Sequence, residues 1–78
     1  MLRKKIANYD SLDVEEKLLI DTALNKLSNK HKYILMQVLN VGRSQSDVSD
    51  ELNLSRIDIS KIINTSLEML VEIVGGEL

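Results

Sequence analysis

The sequence predicts a small all-α domain of four helices that contains a helix-turn-helix at about residues 44–63. Three observations lead to this fold class. Proline is absent, and each of the three glycines falls outside the predicted helices, so nothing interrupts them. Apolar residues recur at intervals of three and four, which is the helical period. Two segments of the form Ser-x-x-Asp begin at Ser44 and Ser55, and each is typical of the start of a helix.

The first half of the chain divides into a terminal segment and two helices. Residues 1–12 lack a clear period and are expected to form a tail or a short helix ahead of a domain over 13–78. Asp13 is placed to cap one helix, and Ser28 to cap the next, which ends at Gly42. These two helices are predicted over about 13–27 and 29–41.

The second half contains the two helices of the motif. Ser44 begins a helix of about eight residues, and the turn that follows is expected at Asn53, because asparagine tolerates the left-handed backbone. Ser55 then caps a longer helix that runs from Arg56 to about Val74, where two glycines stop it.

A helix-turn-helix needs a small residue where its helices cross, a turn residue that adopts a left-handed conformation, and buried aliphatic residues on both sides. Ser49 is the small residue, and Asn53 is the turn residue. The aliphatic positions are Val48, Leu52, Leu54, Ile59 and Ile62.

A family resemblance is carried by residues 42–61, which read GRSQSDVSDELNLSRIDISK. This segment resembles the C-terminal, promoter-reading domain (region four) of bacterial sigma factors, and is most similar to the stress and sporulation branch. Upstream, residues 23–27 and 30–39 are similar to two further helices of that domain. The chain departs from the family at Ile63, Asn64 and Glu68, where basic residues are common.

The resemblance implies a stand-alone transcription regulator of bacterial or phage origin, with the fourth predicted helix as the recognition helix. We expect phosphate contacts from cations and helix N-termini, and base contacts from residues early on the fourth helix. The alternative is that these polar residues merely solvate a surface. The candidate DNA-binding residues are Arg43, Ser44, Gln45, Ser55, Arg56, Asp58, Ser60, Lys61 and Asn64.

The end of the fourth helix is apolar around much of its circumference, which predicts burial on more than one side. Either it packs against Ile6, Tyr9 and Leu12, or it forms a homodimer or another protein interface. The candidate interface residues are Ile63, Leu67, Met69, Leu70, Val71, Ile73 and Val74.

Composition excludes several classes of site. The chain has no cysteine and one histidine, His31, so we expect no metal site, no cofactor, no small-molecule substrate and no enzyme activity. No apolar run is long enough for a membrane span or a signal peptide, and we expect a cytoplasmic protein.

The charges are unevenly distributed along the chain. Residues 1–43 carry eight basic and five acidic residues, a net +3, whereas residues 44–78 carry two basic and seven acidic residues, a net −5.

Two functions are consistent with the sequence. The first, which the resemblance implies, is regulation of transcription initiation through promoter DNA, RNA polymerase or a sigma factor. The second is a protein-interaction module that keeps the helix-turn-helix fold without binding DNA, which the acidic second half favours.

Overall fold

The fold was derived from a computed structural model that describes residues 2–74. It contains five α-helices, a 3-10 turn at Tyr9–Ser11 and a π-helical turn at Gln37–Val41. No strand forms within the described residues. The all-α prediction is therefore confirmed. The helices are α1 (Leu2–Ala7), α2 (Val14–Leu24), α3 (Asn29–Met36), α4 (Gln45–Leu52) and α5 (Arg56–Val74).

The helix starts follow from side chains that accept hydrogen bonds from backbone amides of the first turn. Asp13 accepts from the amide of Glu16 at 2.9 Å, and Ser28 accepts from that of His31 at 3.2 Å. Ser44 and Ser55 do the same for α4 and α5, each at 3.0 Å. Each bond satisfies an amide that has no partner within its own helix. All four predicted caps are confirmed.

The helix ends are less regular than predicted. Helix α2 ends at Leu24, three residues short of the predicted boundary, because the amides of Lys26 and Leu27 bond to carbonyls only three residues back. Leu27 nevertheless remains buried. The helix predicted over 29–41 consists of α3 and the π turn, which Gly42 closes with a left-handed backbone, φ +89°.

The junction between α4 and α5 is a tight turn. Asn53 adopts the left-handed conformation, with φ 58° and ψ 41°, as the sequence predicts. The amides of Asn53 and Leu54 both donate to the carbonyl of Ser49, which closes the end of α4. Ser49 is itself buried, and α4 packs against α5. The two helices and their turn form the predicted helix-turn-helix.

One aliphatic core joins all five helices, and α5 contacts each of the other four. Ser66 is a fully buried member of α5, and its hydroxyl has no hydrogen-bond partner within residues 2–74. A buried hydroxyl without a partner lowers the free energy of unfolding. The small size of serine, and not its polarity, therefore suits this position. The fully buried apolar side chains include Ile6, Ile20, Leu24, Ile34, Leu35, Val48, Ile59, Ile63 and Leu70.

Residues 2–12 form part of this core, and the short-helix alternative is the one observed. Ile6 is fully buried, and Asn40 in the π turn donates to its carbonyl at 3.0 Å. Lys5 forms an ion pair with Glu16 of α2. Tyr9 donates a hydrogen bond to Asp21, which raises the pKa of the Tyr9 hydroxyl. Helix α1 is thus held by polar contacts around a buried isoleucine.

Candidate nucleic-acid interface

The outer face of α5 is the surface on which the sequence predicts DNA contacts. Ile59, Ile63 and Ser66 turn inward, so the side chains on the opposite side of the first three turns face solvent. Lys61 and Asn64 are both exposed on that face. Helix α5 therefore offers a free surface of about three turns that starts at the tight turn.

The predicted DNA-binding residues at the two helix starts differ in how free they are. The hydroxyls of Ser44 and Ser55 accept capping bonds, although their O–H groups remain able to donate. Arg56 and Asp58 are exposed, whereas Gln45 and Ser60 are half-buried. Six of the nine candidates are therefore exposed, whereas Arg43, Gln45 and Ser60 are half-buried, and Arg43 is also part of a side-chain cluster.

The cluster around Arg43 ties α3 and the π turn to α4. The Arg43 guanidinium forms an ion pair with Glu51, and it donates from Nη1 to Gln37 Oε1 at 3.1 Å and to Tyr33 Oη at 3.4 Å. Tyr33 Oη donates to Glu51 Oε2 at 2.6 Å. Sequence reasoning missed these contacts. Arg43 is neutralised by Glu51, so its attraction for a phosphate is weakened.

The same cluster shifts the pKa values of its members. The Tyr33 hydroxyl and then the Arg43 guanidinium stabilise the Glu51 carboxylate, so the pKa of Glu51 lies below 4.5. The Glu51 carboxylate likewise raises the pKa of both Tyr33 and Arg43. At neutral pH the cluster therefore consists of a charged Arg43 and Glu51 and an un-ionised Tyr33.

We expect the Glu51 contacts to make stability depend on pH in the acid range. A lowered folded-state pKa gives a stabilisation that is complete above pH 4.5 and is lost as the pH falls through the lowered value. Glu51→Gln should therefore lose less stability on acidification than the parent chain, as measured by urea unfolding at neutral and acid pH. Glu68→Gln is the matched control at an exposed site and should keep the parental pH dependence. Identical pH profiles for the parent and Glu51→Gln would contradict the expectation.

The electrostatics of this surface are mixed. Within residues 44–63, Arg56 and Lys61 are exposed cations, and Asp47, Asp50 and Asp58 are exposed carboxylates. A fourth exposed carboxylate, Glu51, is paired with Arg43. Phosphate attraction depends on nearby cations, and carboxylates oppose it. Electrostatic attraction to DNA is therefore modest.

The apolar end of α5 is narrower than the interface that we predicted. Ile63, Leu70 and Val74 are buried in the domain's own core, where α1 also packs against α5. These three side chains are therefore covered within the chain itself and offer no surface to another protein. Ile6 of the N-terminal segment belongs to the same core as these three side chains, which agrees with the alternative in which this end packs against that segment.

The remaining apolar side chains fall on two separate strips. Met69 and Ile73 are four residues apart on one flank of α5, and Leu67 and Val71 are four residues apart on the other. Three of them are exposed and Leu67 is half-buried. Exposed glutamates lie between the strips on the outer side, at Glu68 and Glu72.

Within residues 2–74, no group of three or more acidic or histidine side chains is placed to hold a metal ion. None of the helices over the same residues is long and apolar enough to cross a membrane. No family model, curated protein or solved structure matches the chain.

Proposed function

We propose that this chain is a helix-turn-helix regulator of transcription initiation, of the kind that resembles region four of sigma factors. The observation that carries the proposal is the α4–turn–α5 unit, in which most of the exposed side chains in the first turns of α5 are polar. In this proposal α5 enters the major groove of promoter DNA, and Arg56 and Lys61 contact its backbone and base edges. The amides at the starts of α4 and α5 contact phosphates.

The mixed charge of the surface supports a second contact besides DNA. Within residues 44–63, two exposed cations stand against the exposed carboxylates of Asp47, Asp50 and Asp58, and the fourth carboxylate, Glu51, is paired with Arg43. Such a surface neutralises few phosphates, so we expect weak binding to DNA alone. RNA polymerase or a sigma factor, which the resemblance also implies as a partner, would raise the local concentration of the domain at a promoter.

A salt titration of duplex binding tests the proposal. The probe is a fluorescent mixed-sequence duplex, and its anisotropy is followed from low to high salt. With two phosphate-neutralising side chains, log K should fall against log salt with a slope of about −2, and R56A/K61A should bring the slope close to zero. The double variant K26A/K30A removes two exposed lysines outside the motif and should keep the parental slope. No duplex binding at low salt, or equal slopes for both double variants, would sink DNA binding.

The exposed strips of α5 favour a second candidate function, a protein-interaction module. Met69, Val71 and Ile73 are exposed apolar side chains beside glutamates in the last turns of α5. Sedimentation equilibrium of the parent chain and of V71D and M69D distinguishes this candidate. A dimer that both substitutions abolish, together with absent duplex binding, would favour the module over the regulator.

A pull-down from a bacterial lysate, with and without nuclease, separates partners held by protein contacts from those held through DNA. Recovery of RNA polymerase or a sigma factor after nuclease treatment would support the polymerase contact. Recovery that disappears with nuclease would support promoter DNA alone. If neither the polymerase nor a sigma factor is recovered and duplex binding is also absent, a role in transcription is wrong.

A further inference from the structure

Ile57 is the most exposed large apolar side chain of α5 among the described residues, and it lies in the first turn. Its side chain is 69% exposed, whereas Ile59 and Ile63 are fully buried and Ile62 is half-buried. Single exposed apolar residues are common on protein surfaces. The position of Ile57 is distinctive because the residues around it on the exposed face are polar or positively charged.

Ile57, Lys61 and Asn64 form one row along the outer face of α5. Their spacing of four and then three residues places them on the same side of the helix. None of the three side chains forms a hydrogen bond or ion pair with another residue of the range 2–74. A rise of about 1.5 Å per residue separates Ile57 from Asn64 by about 10 Å along the axis. That length corresponds to about three base pairs.

These three side chains match distinct groups at the edges of bases in the major groove. Apolar side chains contact the thymine methyl group, asparagine forms paired hydrogen bonds with adenine, and lysine contacts guanine or a phosphate. We infer that the outer face of α5 reads a step of about three base pairs that contains A·T pairs, with Ile57 on a thymine methyl and Asn64 on an adenine. This inference rests on the duplex binding proposed above.

The surroundings of Ile57 favour DNA over a protein as its partner. The cations of Arg56 and Lys61 and the carboxylate of Asp58 lie around it, and the amino end of α5 lies beside it. Stable protein interfaces bury many residues around a largely apolar centre, which an isolated isoleucine among charged side chains does not supply. A duplex supplies both the phosphates for the cations and a methyl group for the isoleucine.

The test uses duplexes selected by the full chain from a random-sequence pool at low salt. We expect enrichment of a short element that contains A·T pairs. Each thymine of that element is then replaced by uracil, which keeps the pairing and removes the methyl group. One such replacement should weaken parental binding about fourfold, the size expected when one methyl loses an apolar contact. The same replacement should not affect I57S, and N64A should relax the preference for adenine two to three base pairs away.

Leu18→Ser is the matched control, because Leu18 is 60% exposed on α2, outside the motif. This variant should bind the selected thymine-containing duplexes and their uracil-containing forms with the same affinities as the parent chain. Circular dichroism should show that all the variants remain helical. Suppose that the chain binds duplexes with a salt dependence that R56A/K61A abolishes, but the selection enriches no sequence element. That result would overturn the inference and leave the proposed function standing. Equal loss on uracil replacement in the parent and I57S would do the same. Absence of any duplex binding would overturn both.

Discussion

Replacing Ile6 with alanine should lower the free energy of unfolding by about 2–5 kcal/mol, the range for isoleucine-to-alanine changes in a packed core. Ile6 is fully buried although it lies on a helix of six residues near the chain start. The substitution removes its contacts with the core and leaves a cavity between α1 and the rest of the domain. Because small domains are stable by about 5–15 kcal/mol, a substantial part of the total would be lost. Urea unfolding followed by circular dichroism measures the change.

The matched control for Ile6 is Leu18→Ala on α2. Leu18 is largely exposed, so its truncation creates no cavity, and we expect a change within about 0.5 kcal/mol. Similar small effects at both positions would mean that α1 is not integrated into the core. That result would restore the terminal tail as the better description of residues 1–12.

Substitutions of Ser66 should change stability in opposite directions according to size. Ser66→Ala removes a buried hydroxyl that has no partner within residues 2–74, and should raise the free energy of unfolding by about 1 kcal/mol. Ser66→Leu adds three carbon atoms to a fully buried site and should lower it by about 1–3 kcal/mol. Thermal and urea unfolding of the two variants provide the comparison.

The alanine change at Ser66 also improves helix propensity, which requires its own control. Ser60→Ala makes the same replacement on the same helix at a half-buried position. The excess of the Ser66 effect over the Ser60 effect isolates the buried hydroxyl from propensity, which is worth about 0.5 kcal/mol. A destabilising Ser66→Ala would show that the hydroxyl is satisfied in solution.

Local signals in the sequence predict most of the helix boundaries. Asp13, Ser28, Ser44 and Ser55 each bond to an amide three residues ahead, so each helix start depends on neighbours in the chain. The left-handed turn at Asn53 is likewise a local property of asparagine. Short-range chemistry of this kind can be read without knowledge of the fold.

Contacts between distant residues are not predictable in this way. Tyr33 and Glu51 are 18 residues apart, and neither position carries a pattern that identifies the other as its partner. The π turn at Gln37–Val41 is equally hidden, because its apolar residues recur much as they would in an α-helix. Only the packing of the π turn against α1 and α3 distinguishes the two.

Only part of the candidate site is predictable from the sequence, because exposure on a helix follows from local spacing and contacts between helices do not. Helical spacing correctly predicts that Lys61 and Asn64 are exposed. The sequence also indicates that Ile57 is exposed, because that residue is out of phase with the buried stripe through Ile59 and Ile63. The predicted DNA-binding residues are all polar and do not include it. Which flank of α5 is covered by α1 depends on the tertiary fold, so the extent of the apolar surface was overestimated.

Because of the π turn, the number of residues between α3 and α4 determines which way the side chains of this segment point. Its hydrogen bonds span five residues instead of four, which is equivalent to one residue inserted into an α-helix. Deleting one residue there would return the turn to α-helical register and rotate Asn40 by about 100° away from the Ile6 carbonyl. A change of length at this point would therefore break the contact between the π turn and α1, even if every side chain that makes the contact were retained.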